Sequence, residues 1–220
     1  STTAPKVSGR QEATPANLLQ QGVELLGLDI DETSRQLMLR HLELLAHWNR
    51  RLNLTAITQP DVMVVQHLLD SLSVAPWIGG EAVLDIGSGG GLPGLPLAIA
   101  MPDRQFTLLD SRGKRIEFLR YVIANLGIKN VRVAQSRVED YRPEVKFDTL
   151  VCRAFAPLAE ILQLTNRLQA PGVHLLAMKA RAASAELHRV KTVRNWQTEM
   201  VSVQVPFLDA DRRVVIFSFS

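Results

Sequence analysis

A glycine-rich segment lies directly between a short apolar run and a helical pattern. The run covers residues 82–86, the segment reads Asp85-Ile-Gly-Ser-Gly-Gly-Gly-Leu-Pro-Gly94, and apolar residues follow at helical spacing over 95–101. Glycine allows the backbone to approach a ligand closely, and the first amides of a helix are free to bind one. The order of strand, glycine loop and helix therefore predicts an α/β fold with a ligand site at the carboxyl ends of its strands.

The chain beyond this segment alternates between strand-like and helical patterns. Such alternation predicts right-handed crossovers and a mainly parallel sheet. The last two β runs are joined by a short connection, so we expect a hairpin that makes one C-terminal strand antiparallel. Strands are predicted at 82–86, 106–109, 131–134, 147–152, 173–178, 198–205 and 213–219, and helices at 95–101, 114–126, 157–168 and 180–192.

The N-terminal third differs from the rest of the chain in its residue pattern. Residues 1–13 are polar, contain no hydrophobic pattern and are predicted to form a mobile tail. Residues 14–79 carry three helical patterns, at about 14–26, 31–52 and 61–77, and Thr14 and Asp31 are suitable N-caps for the first two. We therefore expect a small helical cap over 14–79, packed against an α/β domain over 80–220.

Composition excludes several classes of protein. Hydrophobic residues make up 46% of the 220-residue chain and charged residues 21%, which is ordinary for a globular protein. No run approaches the roughly 18 apolar residues of a membrane helix, and the N-terminus has no apolar signal-peptide core. The single cysteine, Cys152, excludes an internal disulfide, and the five histidines have no metal-site spacing. We expect a cytoplasmic protein with no metal.

Charge is distributed unevenly along the chain. Residues 14–80 carry four Lys/Arg and seven Asp/Glu, whereas residues 151–220 carry nine Lys/Arg and five Asp/Glu. A basic C-terminal third favours an anionic partner such as RNA. Solvated helix faces would give the same distribution, so charge alone leaves both interpretations open.

Two classes of ligand fit the glycine segment. Gly89, Gly91 and Gly94 have the spacing of the dinucleotide fingerprint, which would indicate a nicotinamide dehydrogenase. Asp85, however, would lie poorly beside a pyrophosphate, and it suits the ammonium and sulfonium groups of S-adenosylmethionine. The alternative role for Asp85 is to cap the loop. Asp110, at the end of the next strand, would accept hydrogen bonds from the ribose of either ligand.

Six segments, taken in order, resemble the ribosomal RNA small-subunit methyltransferase G family, which is also called glucose-inhibited division protein B. The glycine segment alone would indicate only a methyltransferase, whereas the ordered set is far more specific. The resemblance covers roughly residues 17–217. Its segments are 53–55, 67–72, 85–94, 108–115, 136–139 and 153–156.

The resemblance implies a Rossmann-like S-adenosylmethionine-dependent methyltransferase fold behind a small helical cap. It implies methyl transfer to N7 of a guanine in 16S ribosomal RNA, in a loop near the decoding centre, within a 30S particle or assembly intermediate. The enzyme would be a monomer. Guanine N7 has a free lone pair and no proton, so in-line attack on the methyl group needs no general base. The alternatives are a methyltransferase for a small molecule or another base, and an assembly factor that binds RNA and S-adenosylmethionine without turnover.

Eight residues are expected at the cofactor. Under the resemblance, Gly87 and Leu92 line it and Asp110 holds its ribose. Val138 and Glu139 would meet the adenine through backbone amides, and Arg153 would close the site and orient substrate or cofactor. The expected set is Asp85, Gly87, Gly89, Leu92, Asp110, Val138, Glu139 and Arg153.

Five basic residues are candidate RNA contacts, with plain solvated faces as the alternative. They are Lys114, Arg115, Lys179, Arg181 and Arg189. His67 and Asp70 are expected to fix the helical cap against the core. The sequence departs from the family pattern at Cys152, where serine is expected, and at Met178-Lys179-Ala180, where Leu-Lys-Gly is usual. We expect Cys152 to be an inert core residue, since direct transfer to N7 needs no thiol nucleophile.

Overall fold

The computed structural model describes residues 14–180, 183–190 and 196–220. The N-terminal residues 1–13 and Arg181 lie outside these ranges. Within them, Thr14 and Asp31 cap the first two helices as predicted. Thr14 Oγ1 accepts from the Asn17 amide at 3.2 Å, and Asp31 Oδ1 accepts from the Ser34 amide at 2.7 Å.

One seven-stranded sheet forms the centre of the described residues. Its order is β3-β2-β1-β4-β5-β7-β6, with β1 to β5 parallel to one another and β7 antiparallel to both β5 and β6. The predicted mainly parallel sheet and C-terminal hairpin are confirmed. The strands are β1 (Ala82–Ile86), β2 (Gln105–Asp110), β3 (Val131–Gln135), β4 (Thr149–Arg153), β5 (His174–Lys179), β6 (Trp196–Val203) and β7 (Arg212–Phe219).

The helices largely follow the predicted patterns, with two interruptions. The third N-terminal helix turns π-helical over Val64–Leu69 and stops at Leu72, before a 3₁₀ turn at Ala75–Trp77. The helix predicted over 157–168 ends at Leu164 and is followed by a 3₁₀ turn. The helices are α1 (Pro15–Leu25), α2 (Glu32–Leu52), α3 (Pro60–Met63), α4 (Asp70–Leu72), α5 (Gly94–Ala100), α6 (Gly113–Leu126), α7 (Leu158–Leu164) and α8 (Ala183–Arg189).

The N-terminal helices share one hydrophobic core with a face of the sheet. Alternate side chains of β1 point to opposite faces, so Val83 enters the core beneath α1, α2, α5 and α6, whereas Leu84 enters the core beneath α7 and α8. Leu45 of α2 is fully buried and lies against the glycine loop, since a Cβ built on Gly90 would be 2.8 Å from Leu45 Cδ1. The helical region therefore packs directly onto the segment that carries the ligand site.

Truncating Leu45 should destabilise the whole fold. Removing a fully buried leucine side chain loses transfer free energy and leaves a cavity, so Leu45→Ala should lower the free energy of unfolding by about 2–5 kcal/mol in urea titrations. The control is Leu25→Ala in α1, because Leu25 is 68% exposed and its truncation should change stability by less than about 0.5 kcal/mol. Equal effects of the two substitutions would contradict the shared core.

Candidate active site

The glycine loop between β1 and α5 lies where the strand order reverses, the usual ligand position in an open α/β sheet. The amides of Gly87 and Ser88 both donate to the Leu109 carbonyl, at 2.8 and 3.0 Å, and hold the loop on the end of β2. Gly87 and Gly89 have φ of 71° and 56°. Side chains other than glycine are strained in this conformation, so these positions need glycine.

Asp85 lies beneath the loop rather than in a cavity wall. Its carboxylate is fully buried, and Oδ2 accepts from the Gly94 amide at the start of α5 at 2.9 Å. Burial raises the pKa of Asp85 to about 7, although hydrogen bonds from Ser88 and Gly94 act in the opposite direction. The geometry matches the loop-capping alternative, and a direct contact to the cofactor stays a prediction.

A first cavity of about 360 Å³ opens at the carboxyl ends of β1 and β2. Asp110 forms part of its wall and is itself buried. Asp110 Oδ2 accepts from the Gly89 amide at 3.0 Å, and Oδ1 accepts from the Arg112 amide at 2.9 Å. Arg115 Nη1 approaches Oδ2 at 3.4 Å. These contacts fix the carboxylate at the cavity while it remains able to accept further hydrogen bonds.

The opposite wall of the first cavity includes a short 3₁₀ turn, Val138–Asp140. Val138 and Glu139 open this turn, where backbone amides have no partner inside the helix. The Glu139 carboxylate instead bonds Arg137 Nε at 2.5 Å, and its own amide and this contact lower the pKa of Glu139. The turn is therefore suited to bind a ligand through backbone groups.

The other predicted cofactor residues occupy three different environments. A Cβ on Gly87 would lie 2.6 Å from Phe155 Cδ2, so Phe155 packs over this glycine and completes the first cavity. Gly89 is half-buried and is not among the lining residues of the first cavity, and its amide donates to Asp110 Oδ2. Leu92 is buried in the core beneath the loop, and its amide donates to the Ser88 carbonyl at 3.1 Å.

A second cavity, of about 340 Å³, lies between the N-terminal helices and the ends of β4, β5 and β7. Arg153 is in its wall, not in that of the first cavity. Ala154, with φ of 47°, lines both cavities, so the two spaces meet at this residue. Four cationic side chains line the second cavity: Arg153, Lys179, Arg212 and Arg213.

Asp70 joins the helical region to the sheet, as expected, whereas the hydrogen bonds of His67 stay within the helical region. Asp70 accepts from Arg153 Nη1 at 3.2 Å and from Arg212 Nε at 2.9 Å. His67 Nε2 lies 2.8 Å from Thr55 Oγ1. Burial, with the nearby Arg153 charge, lowers the pKa of His67 to about 4. His67 is therefore neutral at physiological pH.

His41 is a site residue that sequence reasoning missed. It is fully buried on α2, and its Nε2 lies 2.7 Å from the Gly90 carbonyl. Because a carbonyl can only accept, Nε2 carries the proton. Burial lowers the pKa of His41 to about 4. The available signal was its position within the apolar stripe of Met38, Leu42 and Leu45, where a polar side chain must find a buried partner.

The candidate RNA contacts within the described residues differ in exposure. Lys114 and Arg189 are exposed, as expected for such contacts. Lys179 lines the second cavity, but its side chain is only 12% exposed, donates to the Ala156 carbonyl and pairs with Glu186 at 2.9 Å, and its contact to RNA stays a prediction. Arg115 likewise belongs to the first cavity through Asp110. Arg181 lies outside the described residues.

Cys152 lies in the core on the α7 and α8 face of the sheet. Burial raises the pKa of its thiol to about 12, with the Asp85 charge acting in the same direction. A thiol with this pKa is not a nucleophile at neutral pH. The burial agrees with the expected inert role.

Comparisons with known proteins cover most of the helical region and the sheet in one match. Residues 34–216 match the family model described as rRNA small subunit methyltransferase G. A protein named ribosomal RNA small subunit methyltransferase G from Chromobacterium violaceum is 46% identical over 90% of this chain and 94% of its own length. One of the same name from Psychromonas ingrahamii is 42% identical over 90% and 95%.

The chain belongs to the rRNA small subunit methyltransferase G family. It is therefore an S-adenosylmethionine-dependent methyltransferase, and the dinucleotide interpretation of the glycine segment is wrong. The fold agrees. The O-methyltransferase TomG from Streptomyces achromogenes, solved with S-adenosylmethionine, superposes with a TM-score of 0.58 at 16% identity, covering 91% of this chain and 96% of TomG. A SAM-dependent methyltransferase from Aquifex aeolicus gives 0.53 at 16% identity, covering 68% and 90%.

The first cavity has the chemistry that the adenosine part of S-adenosylmethionine requires. The Asp110 carboxylate is able to accept from two ribose hydroxyls, and the contacts of adenine with the backbone at Val138 and Glu139 stay a prediction, since the Glu139 amide bonds its own carboxylate. Over the described residues of this family member, no helix is long and apolar enough to cross a membrane, and no group of three or more His, Cys, Asp or Glu is arranged to hold a metal ion.

Stability should depend on pH through His41. The unfolded chain binds a proton on this histidine near pH 6.5 and the folded chain only near pH 4, so the stability that neutral His41 gives is lost as pH falls from 6.5 to 4. Relative to His41→Gln, the free energy of unfolding of the native chain should fall by about 2 kcal/mol between pH 7.5 and 5. As pH falls, the titration of Asp85 changes stability in the opposite direction to that of His41, and the titration of His67 in the same direction. Both groups are present in the native chain and in His41→Gln, so their contributions cancel in this comparison. Parallel pH profiles would refute the assignment.

Replacing Asp110 should weaken cofactor binding. Asp110→Ala removes the predicted ribose acceptor and the contact that holds Gly89, and hydrogen bonds to a charged group are worth about 1.5–3 kcal/mol each. The dissociation constant for S-adenosylhomocysteine, measured by calorimetry, should rise at least about tenfold. Asp103→Ala, at an exposed carboxylate, is the control. Native affinity in a folded Asp110→Ala protein would remove Asp110 from the site.

Proposed function

We propose that this protein transfers a methyl group from S-adenosylmethionine to N7 of a guanine in 16S ribosomal RNA near the decoding centre. The support is the family match together with the cationic second cavity, which adjoins the first at Ala154. Four basic side chains and one carboxylate, Asp70, are the charged groups that line it among the described residues. Such a wall suits an RNA strand, since most contacts to nucleic acid are made with phosphate oxygens.

The chain's own residues would bind and orient the two reactants. When bound, the cofactor supplies a methyl group on a positively charged sulfur. Asp110 and the turn at Val138 and Glu139 would hold its adenosine, which leaves the junction at Ala154 between cofactor and RNA. Holding a nucleophile and a methyl group in line accounts for a large part of the rate in such a transfer.

The second cavity favours a nucleophile that needs no base. Asp70 is bound by two arginines, and neutral His67 contacts Thr55 Oγ1 at 2.8 Å and the Gln66 carbonyl at 3.2 Å. Both candidate bases among the described residues of this wall are therefore already engaged. Guanine N7 has a lone pair and no proton to remove, whereas an exocyclic amine must lose one. We infer direct attack by N7, in a cytoplasmic monomeric enzyme acting on a 30S particle or an assembly intermediate.

The experiment is methyl transfer from labelled S-adenosylmethionine to 30S particles and to protein-free 16S RNA, with the product mapped by chemical cleavage at N7-methylguanine. We expect one labelled guanine near the decoding centre. Label on another base or atom would exclude N7 specificity. Transfer to small molecules alone would exclude an RNA substrate. Tight RNA and cofactor binding with no transfer to any ribosomal substrate would indicate an assembly factor.

Substitutions at Cys152 and at Arg153 should have very different effects on methyl transfer in this assay. Cys152→Ser should retain methyl transfer within a few-fold, because the thiol is buried and protonated. Arg153→Ala should lose far more, because Arg153 lines the second cavity and bonds Asp70. A folded Cys152→Ser protein that binds cofactor but transfers no methyl would contradict direct transfer and reopen the identity of the target base.

A further inference from the structure

The antiparallel strand β7 brings basic residues to the edge where the parallel strands end. Arg153 ends β4 and is in register with Met178, which in turn is in register with Val214. Because β7 runs in the opposite direction, its first residues lie at the carboxyl ends of β4 and β5. Arg212 and Arg213 therefore share the wall of the second cavity with residues distant in sequence.

Two of the four cationic groups in this wall are neutralised one to one. Lys179 Nζ pairs with Glu186 Oε2 at 2.9 Å. Arg213 Nη2 pairs with Asp211 Oδ2 at 3.1 Å. Lys179 and Arg213 are therefore each balanced by one carboxylate.

Arg153 and Arg212 share a single carboxylate. Asp70, whose side chain is 6% exposed, gives Oδ2 to Arg153 and Oδ1 to Arg212. The Gln66 carbonyl, one helical turn before Asp70, also accepts from Arg153 Nη1, at 3.0 Å. Two guanidinium groups against one carboxylate leave one positive charge in a wall where the two arginine side chains are only 21% and 27% exposed. Burying an unpaired charge costs free energy, so an anion bound at this wall would stabilise it.

The two arginines retain hydrogen-bond donors for that anion. Within the described ranges, every hydrogen bond of Arg153 leaves from Nη1, and that of Arg212 leaves from Nε. A guanidinium carries five N–H donors. Nε and Nη2 of Arg153 and both Nη groups of Arg212 are thus unused by the described protein and available at the cavity wall.

We propose that Asp70 is a positioning residue that orients Arg153 and Arg212 as a two-guanidinium site for one oxyanion, a phosphodiester of the RNA strand. The inference rests on the proposed function. A phosphodiester carries one negative charge, equal to the excess on the pair, and its oxygens suit the planar donors of arginine. The cofactor carboxylate has the same oxyanion chemistry, and the experiment distinguishes the two sources.

The first variant is Arg212→Gln in the full chain, tested for binding to 30S particles and 16S RNA over a series of salt concentrations. We expect RNA affinity to fall about tenfold or more, and the slope of log affinity against log salt to decrease by about 0.7 for the lost phosphate contact. Arg40→Gln is the control, because Arg40 forms an exposed one-to-one pair with Glu43. Calorimetry with S-adenosylhomocysteine should give native affinity for Arg212→Gln. Reduced cofactor affinity with unchanged RNA affinity would assign the oxyanion to the cofactor and overturn the proposal.

The second variant, Asp70→Asn, distinguishes two explanations, because they predict opposite changes in RNA affinity. If Asp70 contributed charge alone, its removal would make the wall more positive and tighten RNA binding. If Asp70 positions the arginines, RNA affinity of the folded variant falls about tenfold and the KM for RNA rises more than kcat falls, with Asp70→Glu recovering part of the loss. Tighter or unchanged binding by folded Asp70→Asn overturns the proposal, and urea titration measures folding. If Asp70→Asn does not fold, the outcome with Arg212→Gln decides.

The two hypotheses fail in different ways. If the native chain neither binds nor methylates ribosomal RNA, the proposed function and the oxyanion site both fall. If the native chain methylates 16S RNA while Arg212→Gln binds it with native affinity and an unchanged salt slope, only the oxyanion site is overturned.

Discussion

The site depends on how the turn after β1 is held. The Leu109 carbonyl accepts from two consecutive loop amides, which keeps the turn on the end of the neighbouring strand. Three side chains from different elements complete the arrangement: Asp85 binds the Gly94 amide from below, Asp110 binds the Gly89 amide from β2, and His41 binds the Gly90 carbonyl from α2. Backbone with positive φ has no regular partner of its own, so these external contacts are what give the loop a single shape.

The same contacts make the helical region part of the site. His41 and Leu45 reach the loop from α2, while Asp70 bonds arginines from β4 and β7. Different elements therefore form the two cavities. The sheet edge forms the first, and the helical region and the antiparallel strand close the second. Ala154 lies between them with a left-handed backbone. We propose that the first space holds the cofactor and the second the substrate.

Local sequence signals were sufficient for most of the fold. Alternating apolar runs predicted the strands, the glycine segment predicted the turn, and the short connection before β7 predicted the antiparallel hairpin. The π-helical stretch Val64–Leu69 was not predictable, because the apolar pattern of a π turn in a buried helix is nearly that of an α turn. Asp110 was expected at the cavity because it ends a strand, whereas the turn at Val138 and Glu139 was expected only from the family resemblance.

The second cavity could not be predicted in this way. Asp70 and Arg212 are 142 residues apart and meet only because β7 reverses direction, which charge counts along the chain do not reveal. Lys179 was expected to contact RNA from its charge alone, but Glu186 and the Ala156 carbonyl bind it in the fold. Sequence patterns thus located the residues at the ends of helices and strands. Pairing between charges distant in sequence determined which of these residues remain available to bind a ligand.

The central claim is that the cofactor occupies the first cavity and leaves the second for substrate. A crystal structure of the protein with S-adenosylhomocysteine tests it most directly. The account predicts ribose density within hydrogen-bond distance of the Asp110 carboxylate, adenine beside Val138 and Glu139, and no nucleoside density between Asp70 and Arg212. Adenosine density in the second cavity, with Asp110 uncontacted, would contradict it.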